Sequence, residues 1–316
     1  MGTRFTKQIA STLKRRGWSR RRTLEVLWAY TFLAPALIFF LVLVVWPMIH
    51  ALIISFHKWW LLPSEKPFVG IANYAAALRD PLTLKSLKVT LLYTVAVVPI
   101  GGALSLGLAL ILNNRQIRAL GFFRTVYFIP VITTWAAVGF IWRWLFEPSF
   151  GLVNTALGLL GVTGPGWLVS PNWALPAIIM TSIWKGMGYN MVIFLAGLQN
   201  VPRQYYEAAQ IDGANIWQCF WKITLPLLNA VLVFVIVTSI ISSFQVFTPI
   251  IIMTKVGGAG AGGPLDTTRV LVYHIYDLAF RRGNVGFASA VAFILFAMVM
   301  IVTVIHLRLV QREVEY

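Results

Sequence analysis

The stretch Tyr205–Leu228, YYEAAQIDGANIWQCFWKITLPLL, lies between two long apolar runs, and the reading of the whole chain turns on it. It is an Ala-rich helical segment, a Gly, and a second helical segment ending in Leu-Pro. Upstream, Asn200 can cap the first helix, and Pro202 suits its first turn. Glu207-Ala208-Ala209 forms a strongly helix-favouring turn of little side-chain bulk. Gly213 breaks this helix and frees the chain to turn. Ile216–Ile223 gives a second, more apolar helix suited to a membrane surface, and Leu225-Pro226 opens the next apolar run. Two readings stand at this point. An exposed Ala-rich helix can sit deep in a groove of another protein, or the pair is a hairpin that only connects its neighbours.

The rest of the chain is built for lipid. Of 316 residues, 59% are hydrophobic and 11% charged, with a mean hydropathy of +0.78. A soluble domain carries about 25% charged residues and cannot hide this much apolar surface. The net charge of +16 is concentrated, with eight of the 26 Lys and Arg in the first 22 positions. Beside an apolar helix, such a cluster is an anchor for anionic lipid and not a nucleic-acid site. Cys219 is the single cysteine, so no intrachain disulfide is possible and the thiol reads as a small packing residue.

A helix needs about 20 apolar residues to cross the hydrocarbon core. Six windows qualify: Trp28–Phe56, Lys88–Leu112, Phe123–Phe146, Trp173–Leu198, Leu227–Met253 and Phe287–Leu307. The first is read as a retained span, since no A-x-A-like site closes it. With the N-terminus inside, 15 Lys and Arg lie on the inner side and 9 on the outer. The positive-inside rule therefore puts both termini in the cytoplasm, chiefly on the strength of the basic tail. The organisation is a tail over 1–27, a six-helix domain over 28–307 containing the loop 199–226, and a tail over 308–316. Tryptophans at 46, 59, 60, 142, 144, 167 and 173 fall near the outer interface. Pro35, Pro99, Pro130 and Pro249 lie inside spans and should bend them, while Gly101, Gly102 and Gly107 permit close helix approach.

No Asp or Glu falls inside these windows, which disfavours proton- and sodium-coupled carriers. No nucleophile–base set or metal-ligand spacing is evident, so the chain is not read as an enzyme. There is no phosphate-binding loop; the Gly-rich run Val256–Pro264 lacks the Lys such a loop needs and reads as a flexible connector. If the bundle pumps solute, a partner supplies the free energy. A passive facilitator or channel is the other reading, and the helix pair at 203–224 discriminates, because a passive pore needs no docking element.

Glu207-Ala208-Ala209, Gly213 and Leu225-Pro226 resemble the EAA loop of permease subunits in binding-protein-dependent ABC importers. The fuller EAAQIDGANIWQCFWKITLPLL is similar to the carbohydrate-uptake branch, which includes maltose and glycerol-phosphate permeases. Phe68–Tyr74 (FVGIANY), Gly121–Pro130 (GFFRTVYFIP), Trp184–Val201 and Gly263–Phe287 extend the resemblance over residues 25–310. It implies an all-α polytopic membrane protein of the type I ABC importer permease fold, in a bacterial or archaeal plasma membrane. Its implied partners are a second permease, two ABC ATPase subunits and an extracytoplasmic sugar-binding protein. The resemblance puts ATP and Mg on the ATPases and no cofactor in this chain. Glu207 would make a polar contact in the ATPase groove, Ala208 and Ala209 would permit close packing, and Gly213 the turn.

Lys185 is the most informative charge within a span, too deep to reach the interface easily. It faces a cavity or a polar partner, or is bonded to helix carbonyls. Tyr189, Asn190, Ser242, Ser243 and Gln245 offer the aromatic faces and hydrogen-bonding groups that a sugar needs. The resemblance to the sugar-holding maltose permease carries its pocket onto Val131, Trp135, Lys185, Gly186, Tyr189, Ser243 and Val246. Gly186 and Tyr189 keep that permease's character, whereas Trp135, Lys185 and Val246 depart from it. The resemblance therefore supports a pocket without supporting maltose, and a cation there would suit an anionic ligand such as a sugar phosphate or simply hydrogen-bond hydroxyls.

Overall fold

A computed structural model describes residues 20–62, 65–114, 119–254 and 262–310. Most of the basic tail, Arg115 and Arg118, the Gly-rich run up to 261 and the end of the C-terminal tail lie outside the described residues. The chain falls into two units, 1–53 and 54–316. The first contributes most of helix α1, which runs as Arg20–Phe40, a π-turn Leu41–Val45, and Trp46–Ser55. Its span Leu24–Ser55 has a mean hydropathy of 2.7 and is apolar all round, as a lipid-facing helix must be. Pro35 sits within it without ending it.

The second unit is a helical bundle built on α3 (Pro81–Leu112) and α7 (Ala174–Gln199), which pack along each other. Asp80 starts α3 by accepting from the Thr83 amide at 2.7 Å, with Pro81 at the first helical position. Its 32 residues are about 48 Å long, more than a bilayer core requires. Three apolar clusters hold the bundle. One surrounds Tyr93, Ile178 and Met253; a second surrounds Ala109, Met191, Phe194 and Leu228; a third joins Ile240 and Phe244 to Leu271 and Val291. The remaining elements are α2 (Ala72–Ala77), α4 (Leu120–Ile132), α5 (Trp135–Leu145), α6 (Leu152–Leu159), α8 (Arg203–Ile211), α9 (Ile216–Leu227), α10 (Asn229–Phe244), α11 (Thr248–Met253), α12 (Leu271–Tyr276, continued by a π-turn Asp277–Arg281) and α13 (Val285–Val310).

Among the described residues four helices are long and apolar enough to cross a membrane, and two bent pairs bring the total to six. The third expected span is α4 and α5, which meet at 99°, and the fifth is α10, which meets α9 at 70°. Hydropathy located both spans but is blind to direction; Pro130, expected to bend the third, lies three residues before its break at Thr133–Thr134. α9 runs to Leu227, so Leu225-Pro226 lies in its last turn and does not open the span. Pro249 sits in the first turn of α11, where its missing N–H is harmless, and not inside a span. Asn200 is the C-cap of α7, while Pro202 occupies the N-cap of α8. The segment after Glu147 contains α6, and Trp167 is buried there, its Nε1 donating to Asn154 Oδ1 at 2.6 Å, so its ring packs against protein and is not presented to lipid.

Of the three glycines expected to permit close helix approach, Gly101 faces a neighbouring helix, and a Cβ there would meet Ile183 of α7 at 3.8 Å. A Cβ on Gly102 or Gly107 would meet nothing within 4 Å, whereas one on Gly188 would collide with the Tyr127 carbonyl oxygen of α4.

Candidate functional site

A cavity of about 360 Å³ opens among α3, α5, α7 and α10, where α10 ends and Gln245–Phe247 run non-helically into α11. Ser242, Ser243 and Gln245 reach it from the α10 end, and Ser182, Tyr189 and Asn190 from α7. Asn190 Nδ2 donates to Ser239 Oγ at 3.4 Å across the wall. Hydroxyl and amide groups beside the rings of Trp135 and Tyr189 can hydrogen-bond a polar rim and cover an apolar face. Of the residues singled out from sequence, Trp135, Gly186, Tyr189, Ser243 and Val246 line this cavity. Lys185 and Val131 do not. Tyr93 of α3 also lines it and was missed, since nothing local in α3 marks which face meets α7.

Lys185 points from α7 to the break between α4 and α5. Its Nζ donates to the carbonyls of Pro130 (3.0 Å), Val131 (3.2 Å) and Thr133 (2.9 Å). The side chain is buried, and its ammonium lies 5.1 Å from the Trp135 ring centroid. Val131 thus contributes its backbone oxygen to this contact.

At the other end of α10, α8 and α9 form the hairpin of the opening stretch. Gly213 takes φ +78°, a left-handed value natural to glycine, and closes α8. The amides of Gly213 and Ala214 return to the carbonyls of Gln210 (3.1 Å) and Ala209 (2.8 Å), satisfying groups at the helix end. Asn215 and Gln218 then form a reciprocal cap on α9, a signal legible as N-x-x-Q that the sequence reading passed over. Tyr206 and Thr224 hydroxyls meet at 2.9 Å, tying α8 to α9. Glu207 and Ala208 are exposed and Ala209 half-buried. Ile211, Ile216 and Trp217 are exposed too, at 87%, 91% and 67%.

A charged cluster occupies the segment between α11 and α13. Arg269 donates to Asp266 Oδ1 (2.8 Å) and Asp277 Oδ2 (3.1 Å), and Asp277 also takes Arg281 and Arg282. Burial works against the Asp277 carboxylate, but hydrogen bonds and charge from Arg269 and Arg282 outweigh it and hold its pKa below the usual value. His274 is buried. Its Nδ1 faces Arg269 Nη1 at 3.3 Å and its Nε2 faces Thr83 Oγ1 at 3.0 Å, while Thr83 donates to Asp80 Oδ2 at 2.8 Å. Arginine and the threonine hydroxyl leave one consistent arrangement: a neutral imidazole accepting at Nδ1 and donating from Nε2. Desolvation, aided by the Arg269 charge, pushes its pKa down to about 4. This chain of hydrogen bonds ties α12 to the start of α3.

Residues 98–315 match the family described as "Binding-protein-dependent transport system inner membrane component". The chain is 37% identical over 290 residues to the probable ABC transporter permease protein YesP of Bacillus subtilis, covering 91% of each chain. It is 34% identical to the lactose transport system permease protein LacF of Rhizobium radiobacter (87% of this chain, 91% of that one). It is also 34% identical to the sn-glycerol-3-phosphate transport system permease protein UgpA of Agrobacterium fabrum (91% and 96%). The fold matches a chain of a bacterial ABC transporter involved in import of the acidic polysaccharide alginate, with a TM-score of 0.80 at 23% identity over 95% of this chain and all of that one. A helical bundle with broken spans around a polar cavity, and the family match over most of its length, make this chain a member of the binding-protein-dependent transport system inner membrane components.

Proposed function

We propose that the chain is the sugar-conducting permease subunit of an ATP-driven importer, working with a second permease, two ATPase subunits and an external sugar-binding protein. The observation that carries the substrate class is the cavity, where serine hydroxyls and amides stand beside Trp135 and Tyr189. The named lactose and glycerol-phosphate relatives support a sugar or a sugar-like polyol phosphate. Both termini lie in the cytoplasm, which places the α8–α9 hairpin there. The chain itself hydrolyses nothing, and ATP and Mg belong to the ATPases.

On this reading α8 seats in the ATPase groove, with Glu207 making a polar contact, Ala208 and Ala209 allowing close approach and Gly213 the turn. The Tyr206–Thr224 contact joins α8 to α9, and the buried Leu228 joins α9 to α10. The far end of α10 carries Ser242, Ser243 and Gln245, so displacement of the hairpin moves one wall of the cavity. The test is purification from native membranes in mild detergent, followed by uptake of radiolabelled lactose and sn-glycerol 3-phosphate into proteoliposomes. A stoichiometric second permease and ATPase, with ATP-dependent uptake, is the expected result. A chain that emerges alone and passes solute without ATP overturns the reading.

A further inference from the structure

The α4–α5 bend leaves polar backbone unpaired where a bilayer offers no water. α4 ends at Ile132, and the last carbonyls of a helix have no partner within it. The Thr133 hydroxyl turns back to the Ile129 carbonyl at 3.0 Å. Lys185 takes those of Pro130 and Val131, and that of Thr133 beyond them. An ammonium has three N–H donors, and here each faces a carbonyl. A cation also suits the negative end of a helix.

The contact requires α7 and α4 to lie almost backbone to backbone, and Gly188 provides this. A Cβ there would collide with the Tyr127 carbonyl oxygen and lie 3.1 Å from Val131 Cγ2. Lys185 and Gly188 are three residues apart on one face of α7, while Gly186 and Tyr189 line the cavity. After the bend, Trp135 is the first residue of α5; it lines the cavity and lies beside the Lys185 ammonium.

We propose that Lys185 is a positioning residue that holds the 99° bend and thereby sets Trp135 in the cavity wall, and that it is not a ligand of the transported solute. Geometry alone carries the clamp; its consequence for transport rests on the function proposed above.

The test places nitroxide labels at Phe122→Cys and Phe140→Cys, both exposed, in a Cys219→Ser background of the complex purified in lipid nanodiscs. A straight helix would separate these positions by about 27 Å, and the bend shortens that span. Lys185→Met, which keeps length and apolar packing, is expected to lengthen the distance by several ångströms. Lys185→Arg, which keeps donors, is expected to hold it near the parent value. Gly188→Ala, which leaves the ammonium intact but pushes α7 from α4, is expected to lengthen it too, and serves if Lys185→Met does not reach the membrane. An unchanged distance in Lys185→Met, or in Gly188→Ala where that variant stands in, overturns the clamp. Uptake of lactose and sn-glycerol 3-phosphate is measured separately. A lengthened distance with undiminished uptake leaves the clamp standing and removes the cavity from the transport path.

Discussion

The α8–α9 hairpin and the α12 segment are both short helical excursions at the two ends of α10, yet they treat their polar and apolar groups in opposite ways. Around α12 the charges Arg269 and Asp277 are buried and answered within the chain, and His274 is locked between Arg269 and Thr83. In the hairpin, Glu207 is exposed and Ile211, Ile216 and Trp217 stand out from the surface. Helix ends are answered in both, in the hairpin through the Gly213 closure and the Asn215–Gln218 cap, and after α12 by the Arg282 and Asn284 amides donating to the Asp277 and Leu278 carbonyls. The difference therefore lies in side chains. One segment is complete as a tie to α3, and the other leaves large apolar side chains uncovered by the rest of the chain.

The largest expected effect comes from Glu207→Ala, which should lower ATP-dependent uptake by more than tenfold while the chain remains in the membrane. Losing one partner of a desolvated interface contact costs about 2–5 kcal/mol. Full uptake would return the hairpin to a mere connector. Asp277→Asn probes the opposite region. It strips the buried Arg269 of the one of its two carboxylate partners that is itself buried and should destabilise the chain by about 3 kcal/mol, read as a lowered thermal midpoint in detergent. An unmoved midpoint would mean that water or Asp266 suffices for Arg269. Gly213→Ala forces a Cβ into a left-handed residue, costing about 1 kcal/mol, and should reduce ATPase recovery in purification without changing membrane insertion.

The smallest effect concerns pH. His274 has a folded pKa below its unfolded value, so the unfolded segment binds the proton more readily and stability falls as pH falls. The contribution is fully present above about 6.5 and is lost progressively down to about 4, whereas Asp277, also lowered, acts only below the usual carboxylate range. Hydrogen exchange in 264–284, corrected for intrinsic rates, should therefore accelerate between pH 6.5 and 4. His274→Gln should flatten that dependence; persistence of the full slope would assign it to another group.

How much of this was legible varies with how far the deciding contact lies along the chain. Gly213 announced the end of α8 because a helix terminus is a local event, and the Asn215–Gln218 cap was equally readable. Trp167 looked interfacial because tryptophan favours that place, but a hydrogen bond to Asn154 and packing on Phe146 drew it inside. Gly102 and Gly107 looked like contact glycines by type, while Gly188 earned that role from the position of Tyr127 on another helix. Five of the seven pocket residues gather at one cavity, since they face inward from helices whose spans hydropathy had located.

Sequence by itself determined which segments belong in lipid and where the polar hairpin interrupts them, because transfer energy accumulates residue by residue along a helix. Tertiary structure decided the rest: that the third span turns through 99°, that Lys185 spends its donors on carbonyls 52 to 55 residues away, and that the fifth breaks at Gln245–Phe247 to open a cavity. A broken helix is affordable in a membrane only when another element meets its freed backbone groups, and no local pattern records which element that will be.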